Sequence, residues 1–193
     1  MKVNLTIGIP EWLDRICAWP VMVYRRHKYG YGYRRIYLGE GEWAILDQQD
    51  YYRYQEFKWL VKGNGSKLYA VGSVKTEPKK TRMTWMHREI MNAPKELLVD
   101  HRNGDSLDNR RGNLRFATQS QNMANAIRDK SKTTSRFTGV NFDKRRKRWL
   151  ASIRRQGKKV FLGRFKNEID AAHAYDAAAK KCHGEFARLN FPD

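Results

Sequence analysis

The feature that most constrains the fold is a pair of short apolar segments separated by a loop rich in Asn, Asp and Gly. Residues 97–99 run directly into Asp100 and His101, and the second apolar segment covers residues 114–118. A helix-forming segment begins at Ser120. Short apolar runs bounded by turn residues indicate strands. These residues therefore predict a strand–loop–strand–helix unit with polar side chains at the end of a strand.

The Asp100-His101 pair and Asn122 on the predicted helix offer groups that suit phosphodiester cleavage. Hydrolysis at neutral pH needs an activated water and relief of negative charge on the phosphate. A neutral imidazole can supply the first and a divalent ion the second. Adjacent residues at a strand end point apart, so one can hold metal while the other faces water. Asn122 adds a neutral oxygen ligand. The alternative is ordinary surface chemistry with Asn-rich turns.

This region resembles the HNH endonucleases of the ββα-metal group, particularly those related to phage and intron homing enzymes. The resemblance rests on residues 86–91, 99–104, 108–110, 113–115 and 122. It implies that His101 is the general base, that Asp100 and Asn122 bind the metal, and that Asn113 braces the loop that orients His101. Asn122 stands where many relatives carry a histidine. His87, by contrast, is expected to be structural and to pack between strand and helix.

Charge and cysteine content narrow the partners and the metal. The net charge is +19 and the sequence pI about 10.1, which favours a polyanionic partner such as nucleic acid over a membrane surface. No apolar run approaches the roughly 20 residues of a spanning helix, and no signal peptide is evident. We therefore expect a soluble, cytoplasmic protein. Cys17 and Cys182 are too few for a disulfide framework or a four-cysteine zinc site. A hard ion, Mg²⁺ with Mn²⁺ as a substitute, is the expected cofactor.

Patterning predicts an α+β protein with three functional regions. Residues 1–80 form a mixed α/β region of unclear role, with alternating strands and a short helix at 47–57 that Asp47 caps. Its basic segment 24–29 is either a DNA-backbone grip or a solvated face. Residues 81–128 form the nuclease module and 129–135 a linker. Residues 136–193 form a three-stranded antiparallel sheet packed on one helix.

The C-terminal region shows the clearest periodicity. Strands are predicted at 137–142, 148–155 and 159–165, with a turn at Gly157 and a helix from Glu168 to about Cys182 that Asn167 caps. The small-residue face of that helix permits close packing on the sheet. Between residues 128 and 166 there are fifteen Lys and Arg against two acids. Such a charge run is often only a solvated face, but here cations lie on strands that can enter a DNA groove.

Residues 135–192 resemble the plant ethylene-response-factor (APETALA-two) DNA-binding domain. The resemblance rests on residues 137–140, 149–154, 161–165, 171–179 and 189–192. It implies mainly scaffold roles for Gly139, Trp149, Gly163, Tyr175 and Asn190. Thr138 and Asn141 replace arginines of the plant domains and the first hairpin is shorter, so the plant target sequence does not carry over. The candidate DNA contacts are Arg145, Arg148, Arg154, Lys159 and Phe161.

Together these features predict a metal-dependent endonuclease that acts on double-stranded DNA. Neither a membrane partner nor a small-molecule cofactor is expected. The alternative is a DNA-binding regulator whose nuclease module is inactive. Binding to RNA is a weaker possibility, because the sheet lacks an obvious cluster of base-stacking aromatic side chains. The sequence leaves open the target site, nicking versus double-strand cleavage, and the oligomeric state.

Overall fold

A computed structural model describes residues 10–64, 67–77, 80–126, 134–155 and 157–192. The helices within these residues are α1 (Glu11–Tyr29), α2 (Gln48–Tyr54), α3 (Met86–Ile90), α4 (Gln119–Asn125) and α5 (Glu168–His183). The strands are β1 (Arg34–Gly39), β2 (Glu42–Leu46), β3 (Trp59–Asn64), β4 (Lys67–Glu77), β5 (Lys80–Trp85), β6 (Leu98–His101), β7 (Leu114–Ala117), β8 (Val140–Asp143), β9 (Arg148–Arg155) and β10 (Lys158–Phe165). The predicted α+β class is confirmed.

The chain divides into two compact units. Unit 1 comprises the chain up to Ala93 together with Asp105–Arg115, and unit 2 comprises Pro94–Gly104 together with the chain from Phe116 onward. The predicted linker at 129–135 lies largely outside the described residues, so the functional boundaries proposed from the sequence remain predictions.

Unit 1 is built on two antiparallel arrangements, the hairpin β1–β2 and the sheet β3–β4–β5. Alternation along the hairpin buries Leu38 and Leu46 almost completely and leaves Tyr37 and Trp43 exposed. Helix α2 lies where the sequence predicts it. Asp47 occupies the capping position, but its side chain accepts a hydrogen bond from the Arg111 backbone N–H at 2.8 Å and not from the helix.

The largest departure from the sequence-based expectation is α1, a helix that the residue pattern does not predict. It contains Pro20 and buries no residue. An internal proline breaks most helices, and Trp, Val and Tyr favour strands, so local propensity conceals this helix. In the part of the chain that the structure describes, no helix is long and apolar enough to cross a membrane.

The C-terminal part of unit 2 has the predicted sheet-on-helix arrangement. Strand β9 is central, between β8 and β10, and both pairings are antiparallel. Ala151 and Ile153 face α5, which buries Ala172 and Ala179 against them. Small side chains at this contact let the helix approach the sheet closely. The predicted N-cap contact of Asn167 is not formed, because its side-chain amide donates to Asp170 at 3.2 Å.

Strand β8 starts at Val140, later than predicted, because Gly139 adopts a left-handed backbone with φ of 77°. A Cβ atom on Gly139 would lie 2.0 Å from the Tyr175 ring, so the glycine also permits the close approach of α5. Gly157 has the same φ of 77°, but a Cβ atom there would meet nothing within 4 Å. Substitution of Gly157 therefore introduces backbone strain alone, whereas substitution of Gly139 introduces the same strain and a steric clash with Tyr175.

We expect Gly139→Ala to destabilise the protein much more than Gly157→Ala. The Gly157 substitution costs only the left-handed conformation, about 1 kcal/mol in the free energy of unfolding. The Gly139 substitution adds displacement of a buried aromatic ring, and a total above about 3 kcal/mol is expected. Denaturant unfolding of both variants measures the difference. Equal losses would contradict the packing role assigned to Gly139.

Candidate nuclease site and DNA-binding face

Strand β6 carries Asp100 and His101, the predicted metal ligand and the predicted general base. It pairs with β7 in a two-stranded sheet, and His101 is its last residue, as predicted. Asp100 and His101 are 5% and 6% exposed, so both side chains are held within the fold. Buried polar groups of this kind keep fixed orientations, because each requires hydrogen-bonding partners. The pair is therefore pre-organised by the fold.

Helix α4 is anchored on β6 by Asn125. The Asn125 side-chain nitrogen lies 3.0 Å from each Asp100 carboxylate oxygen and 2.8 Å from the His101 carbonyl oxygen. Asn125 is itself buried. One amide therefore orients the carboxylate and holds the backbone of the neighbouring histidine. Sequence reasoning places Asn125 on this helix but assigns it no role.

Asn122 lies one helical turn before Asn125, so both residues project from the same side of α4. The start of the helix is set by a capping box, in which Thr118 and Gln121 exchange side-chain and backbone hydrogen bonds. Asn122 is partly exposed. The structure therefore brings the helix that carries Asn122 against the strand that carries Asp100 and His101.

The donor chemistry at this site fits a hard divalent cation. The Asp100 carboxylate accepts hydrogen bonds from Asn125. Carboxylate and amide oxygens, such as those of Asp100 and Asn122, are ligands that hard cations prefer. Within the described ranges, no group of three or more His, Cys, Asp and Glu side chains is placed to hold a metal ion.

The polar loop of unit 1, residues 105–115, is held together by its own Asn and Asp side chains. Asn113 is buried and its side-chain nitrogen donates to the Asp108 carbonyl oxygen at 2.8 Å. Asp108 also forms an ion pair with Arg110. Burial acts to lower the pKa of the Arg110 guanidinium. The hydrogen bond to Asp108 and the negative charge of that carboxylate together raise the pKa by more, so it lies above its ordinary value. Asn113 thus braces the loop in which it lies.

His87 has the structural environment expected from the sequence. It is 8% exposed within α3, and its ring lies 5.7 Å from Tyr69 and 6.2 Å from Trp85, measured between ring centroids. The His87 imidazole therefore packs against aromatic rings in the core of unit 1.

Four of the five predicted DNA contacts share the face of the C-terminal sheet that lies opposite α5. Arg148 and Arg154 alternate with the buried positions of β9, and Lys159 and Phe161 are paired with Arg154 and Ser152. The fifth, Arg145, lies in the β8–β9 turn. The backbone N–H groups of Arg145 and Arg146 both donate hydrogen bonds to the Asp143 carboxylate, each at 3.1 Å. The hydrogen bond from the Arg146 backbone has the larger effect, and both bonds lower the pKa of Asp143.

A β-bulge places Arg164 on the same outward face of the sheet, a position that the sequence did not predict. Strict alternation along β10 would place Arg164 with Leu162, towards α5. The register instead shifts between Phe161 and Gly163, which pairs Arg164 with Leu150 on the outward face. Gly163 accommodates the shift with φ of 144°. The Arg164 guanidinium then lies 5.0 Å from the Phe161 ring centroid.

Asn190 joins the C-terminal segment to the sheet and to α5. It accepts from the Thr138 backbone N–H at 2.6 Å and donates to the Thr138 carbonyl at 3.2 Å. Its own backbone N–H donates to the Asp176 carboxylate. These contacts tie the segment that precedes β8, helix α5 and the terminal segment together, which supports the expected scaffold role.

Within unit 2 the β6–α4 segment also contacts the C-terminal region. Helix α4 packs against the 3₁₀ turn Gly184–Phe186. Arg102, next to His101, forms an ion pair with Glu185 at 2.8 Å. Both side chains are exposed, so the pair itself adds little stability. The packing of α4, however, places the β6–α4 segment beside the C-terminal region that carries the three-stranded sheet.

The chain is similar to two kinds of known protein domain. A family described as HNH endonuclease matches residues 92–124. Dehydration-responsive element-binding protein 2A of Oryza sativa subsp. indica is 46% identical over 48 residues, covering 24% of this chain and 18% of the relative. AP2-like ethylene-responsive transcription factor TOE2 of Arabidopsis thaliana is 40% identical over 72 residues, covering 37% and 15%. APETALA2-like protein 2 of Oryza sativa subsp. indica is 45% identical over 58 residues, covering 30% and 13%.

The chain thus spans less than a fifth of the length of these three relatives. The match to the HNH endonuclease family includes Asp100, His101, Asn113 and Asn122. The chain therefore combines an HNH module with an APETALA2-like domain.

Proposed function

We propose that this protein is a metal-dependent endonuclease that hydrolyses phosphodiester bonds in duplex DNA and is positioned by its C-terminal sheet. The observation that carries the proposal is the anchoring of α4 by Asn125 on both Asp100 and His101. This geometry supports one site that contains a carboxylate, an imidazole and the amide of Asn122. The high positive charge of the chain supports DNA as the substrate.

In the proposed mechanism, Asp100 and Asn122 would hold one divalent ion, with Mg²⁺ as the physiological choice and Mn²⁺ as a substitute. Such an ion, when bound, stabilises the negative charge that develops on the phosphate and the leaving oxygen. Neutral His101 accepts a proton from the attacking water at an imidazole nitrogen. Asn125 fixes the orientation of Asp100, and Asn113 is proposed to brace the loop that orients His101.

The C-terminal sheet is proposed to bind the DNA groove through Arg148, Arg154, Lys159, Phe161 and Arg164, with Arg145 at one end. Residues 81–128 act as the nuclease module and residues 136–193 as the DNA-binding domain. Because the β6–α4 segment packs on the C-terminal domain within unit 2, cleavage is expected at a constant distance from the bound sequence. Sequencing the ends of the cleaved DNA measures that distance.

Incubation with supercoiled plasmid tests the proposal directly. Purified protein with Mg²⁺ is expected to convert supercoiled DNA into nicked or linear forms, and EDTA is expected to abolish conversion while gel-shift binding persists. Removal of the ion leaves the phosphate charge without its stabilising partner. Binding without cleavage in Mg²⁺, Mn²⁺ and other divalent ions would contradict the proposal and would favour a DNA-binding regulator instead.

A further inference from the structure

A cavity of about 470 Å³ in unit 1 lies between α1, the β1–β2 hairpin and α2. Its lining includes three arginines, Arg25, Arg34 and Arg35, and two aromatic side chains, Trp43 and Tyr51. Small-ligand sites typically occupy about 300–1,000 Å³ and combine apolar walls with a few convergent polar groups. The cavity therefore has the size and composition of a ligand site, and it uses none of the residues assigned to cleavage or to the sheet face.

Aromatic rings hold the three guanidinium groups in place. Arg25 lies 4.2 Å from the Tyr33 ring centroid and donates to the Tyr33 carbonyl oxygen. Arg35 donates to the Tyr33 hydroxyl at 3.1 Å. Arg34 lies 4.1 Å from the Tyr51 ring centroid. Tyr33 itself is buried, at 6% exposure, so it is a rigid support. The cations are thus positioned before any ligand binds, which reduces the entropic cost of binding.

The charges that face the cavity are unbalanced. Asp14 is the one carboxylate of the lining, and it is engaged by Arg34 at 3.0 Å and by the Tyr52 hydroxyl at 2.7 Å. Among the described residues, no carboxylate forms an ion pair with Arg25 or Arg35. Like charges that line one cavity repel, and an anion bound in the cavity reduces that repulsion. The cavity is therefore complementary to an anion with at least two acceptor oxygens.

We propose that this cavity binds one nucleotide unit, with its phosphate on Arg25 and Arg35 and its base against Trp43 or Tyr51. Guanidinium groups match the paired oxygens of a phosphate, and aromatic faces accept any base by stacking. The nucleotide can come from a DNA strand or from the free nucleotide pool, since both present the same group. Binding here is independent of the proposed nuclease activity, because the two sites share no residue.

Cys17 provides a local reporter, because it also lines the cavity and is exposed. Alkylation by iodoacetamide, followed by mass spectrometry, reports Cys17 and Cys182 in the same sample. Saturating deoxyadenosine monophosphate is expected to slow alkylation of Cys17 by about fivefold, since a ligand buried in the pocket lies against the residues that line it. Alkylation of Cys182, which lies in α5, is expected to stay unchanged. Deoxyadenosine and inorganic phosphate, each tested alone, are expected to protect much less.

Arg35→Ala is the decisive variant, because Arg35 is exposed and leaves the Arg34–Asp14 pair intact. It is expected to remove the protection of Cys17. Arg26→Ala is the matched control: Arg26 is an exposed arginine next to Arg25 that does not line the cavity. Thermal unfolding checks that both variants fold. Full protection in Arg35→Ala, or no protection of the wild type by the nucleotide, would overturn the proposal, as would equal protection by inorganic phosphate.

The source of the nucleotide is distinguished by comparing ligands in the same alkylation assay. Protection by a single-stranded oligonucleotide at lower concentration than the mononucleotide identifies a DNA strand as the ligand. Protection by the mononucleotide at lower concentration identifies the free pool. Either result supports a nucleotide site, and neither depends on whether the protein cleaves plasmid DNA.

Discussion

His101→Ala is expected to lower the rate of plasmid cleavage by about 10²–10⁴-fold, the usual contribution of a general base. The substitution removes the only proton acceptor assigned to the attacking water. It leaves Asp100, Asn122 and the sheet face in place, so the dissociation constant for DNA is expected to stay within about twofold, since a substitution away from the DNA contacts removes none of them. Timed cleavage of supercoiled plasmid and a gel shift on the same preparation measure the two quantities.

Two further variants make the His101 result interpretable. His101 is buried, so its truncation leaves a void that could destabilise β6. His101→Asn keeps a polar side chain of similar shape without an imidazole, and the same loss of cleavage is expected. His27→Ala removes an exposed imidazole from α1 and should cleave like the wild type. Wild-type cleavage by a folded His101→Asn protein would rule out His101 as the base.

A triple substitution on the sheet face, Arg154→Ala with Lys159→Ala and Arg164→Ala, is expected to weaken DNA binding by at least about 10²-fold at moderate salt. Each charge-assisted contact contributes about 1.5 kcal/mol or more. The slope of log K against log salt should also fall by about 0.9 for each phosphate contact removed. Fluorescence anisotropy with a labelled duplex, measured over a range of salt concentrations, gives both quantities.

The matched control for the sheet face is Lys180→Ala with Lys181→Ala, which removes exposed charge from α5 on the other side of the sheet. If the sheet binds DNA, this control should change the salt slope much less for each charge removed. The single Arg164→Ala variant isolates the residue that the bulge turns outward. Equal slopes for the sheet-face triple variant and the wild type would show that DNA binds elsewhere on the chain.

Periodicity explains why the C-terminal domain could be predicted in detail. Trp149, Ala151 and Ile153 alternate with polar residues, and a sheet covered on one side by a helix requires that alternation. The strand–loop–strand–helix order of the HNH module could also be predicted, because turn residues separate its short apolar runs. The positions of Asp100, His101 and Asn122 on β6 and α4 agree with that prediction.

Long-range contacts explain what could not be predicted. Asn125 looks like any polar residue of a helix until α4 packs on β6 and brings its amide to Asp100. The direction of Arg164 depends on a bulge that interrupts the alternation of β10. Helix α1 runs through Pro20 and several residues that favour strands, and it forms one wall of the arginine-lined cavity.

The sequence by itself determined which chemical groups are present, their order, and the elements whose periodicity or turn residues are local. It therefore predicted the Asp100-His101 strand end, the helix with Asn122 and the cationic three-stranded sheet. Only the tertiary structure decided which of these groups meet. A hydrogen bond or a shared cavity joins residues far apart in the chain, such as Asp14 with Tyr52 or Asn125 with Asp100, and the sequence carries no local pattern for such pairs.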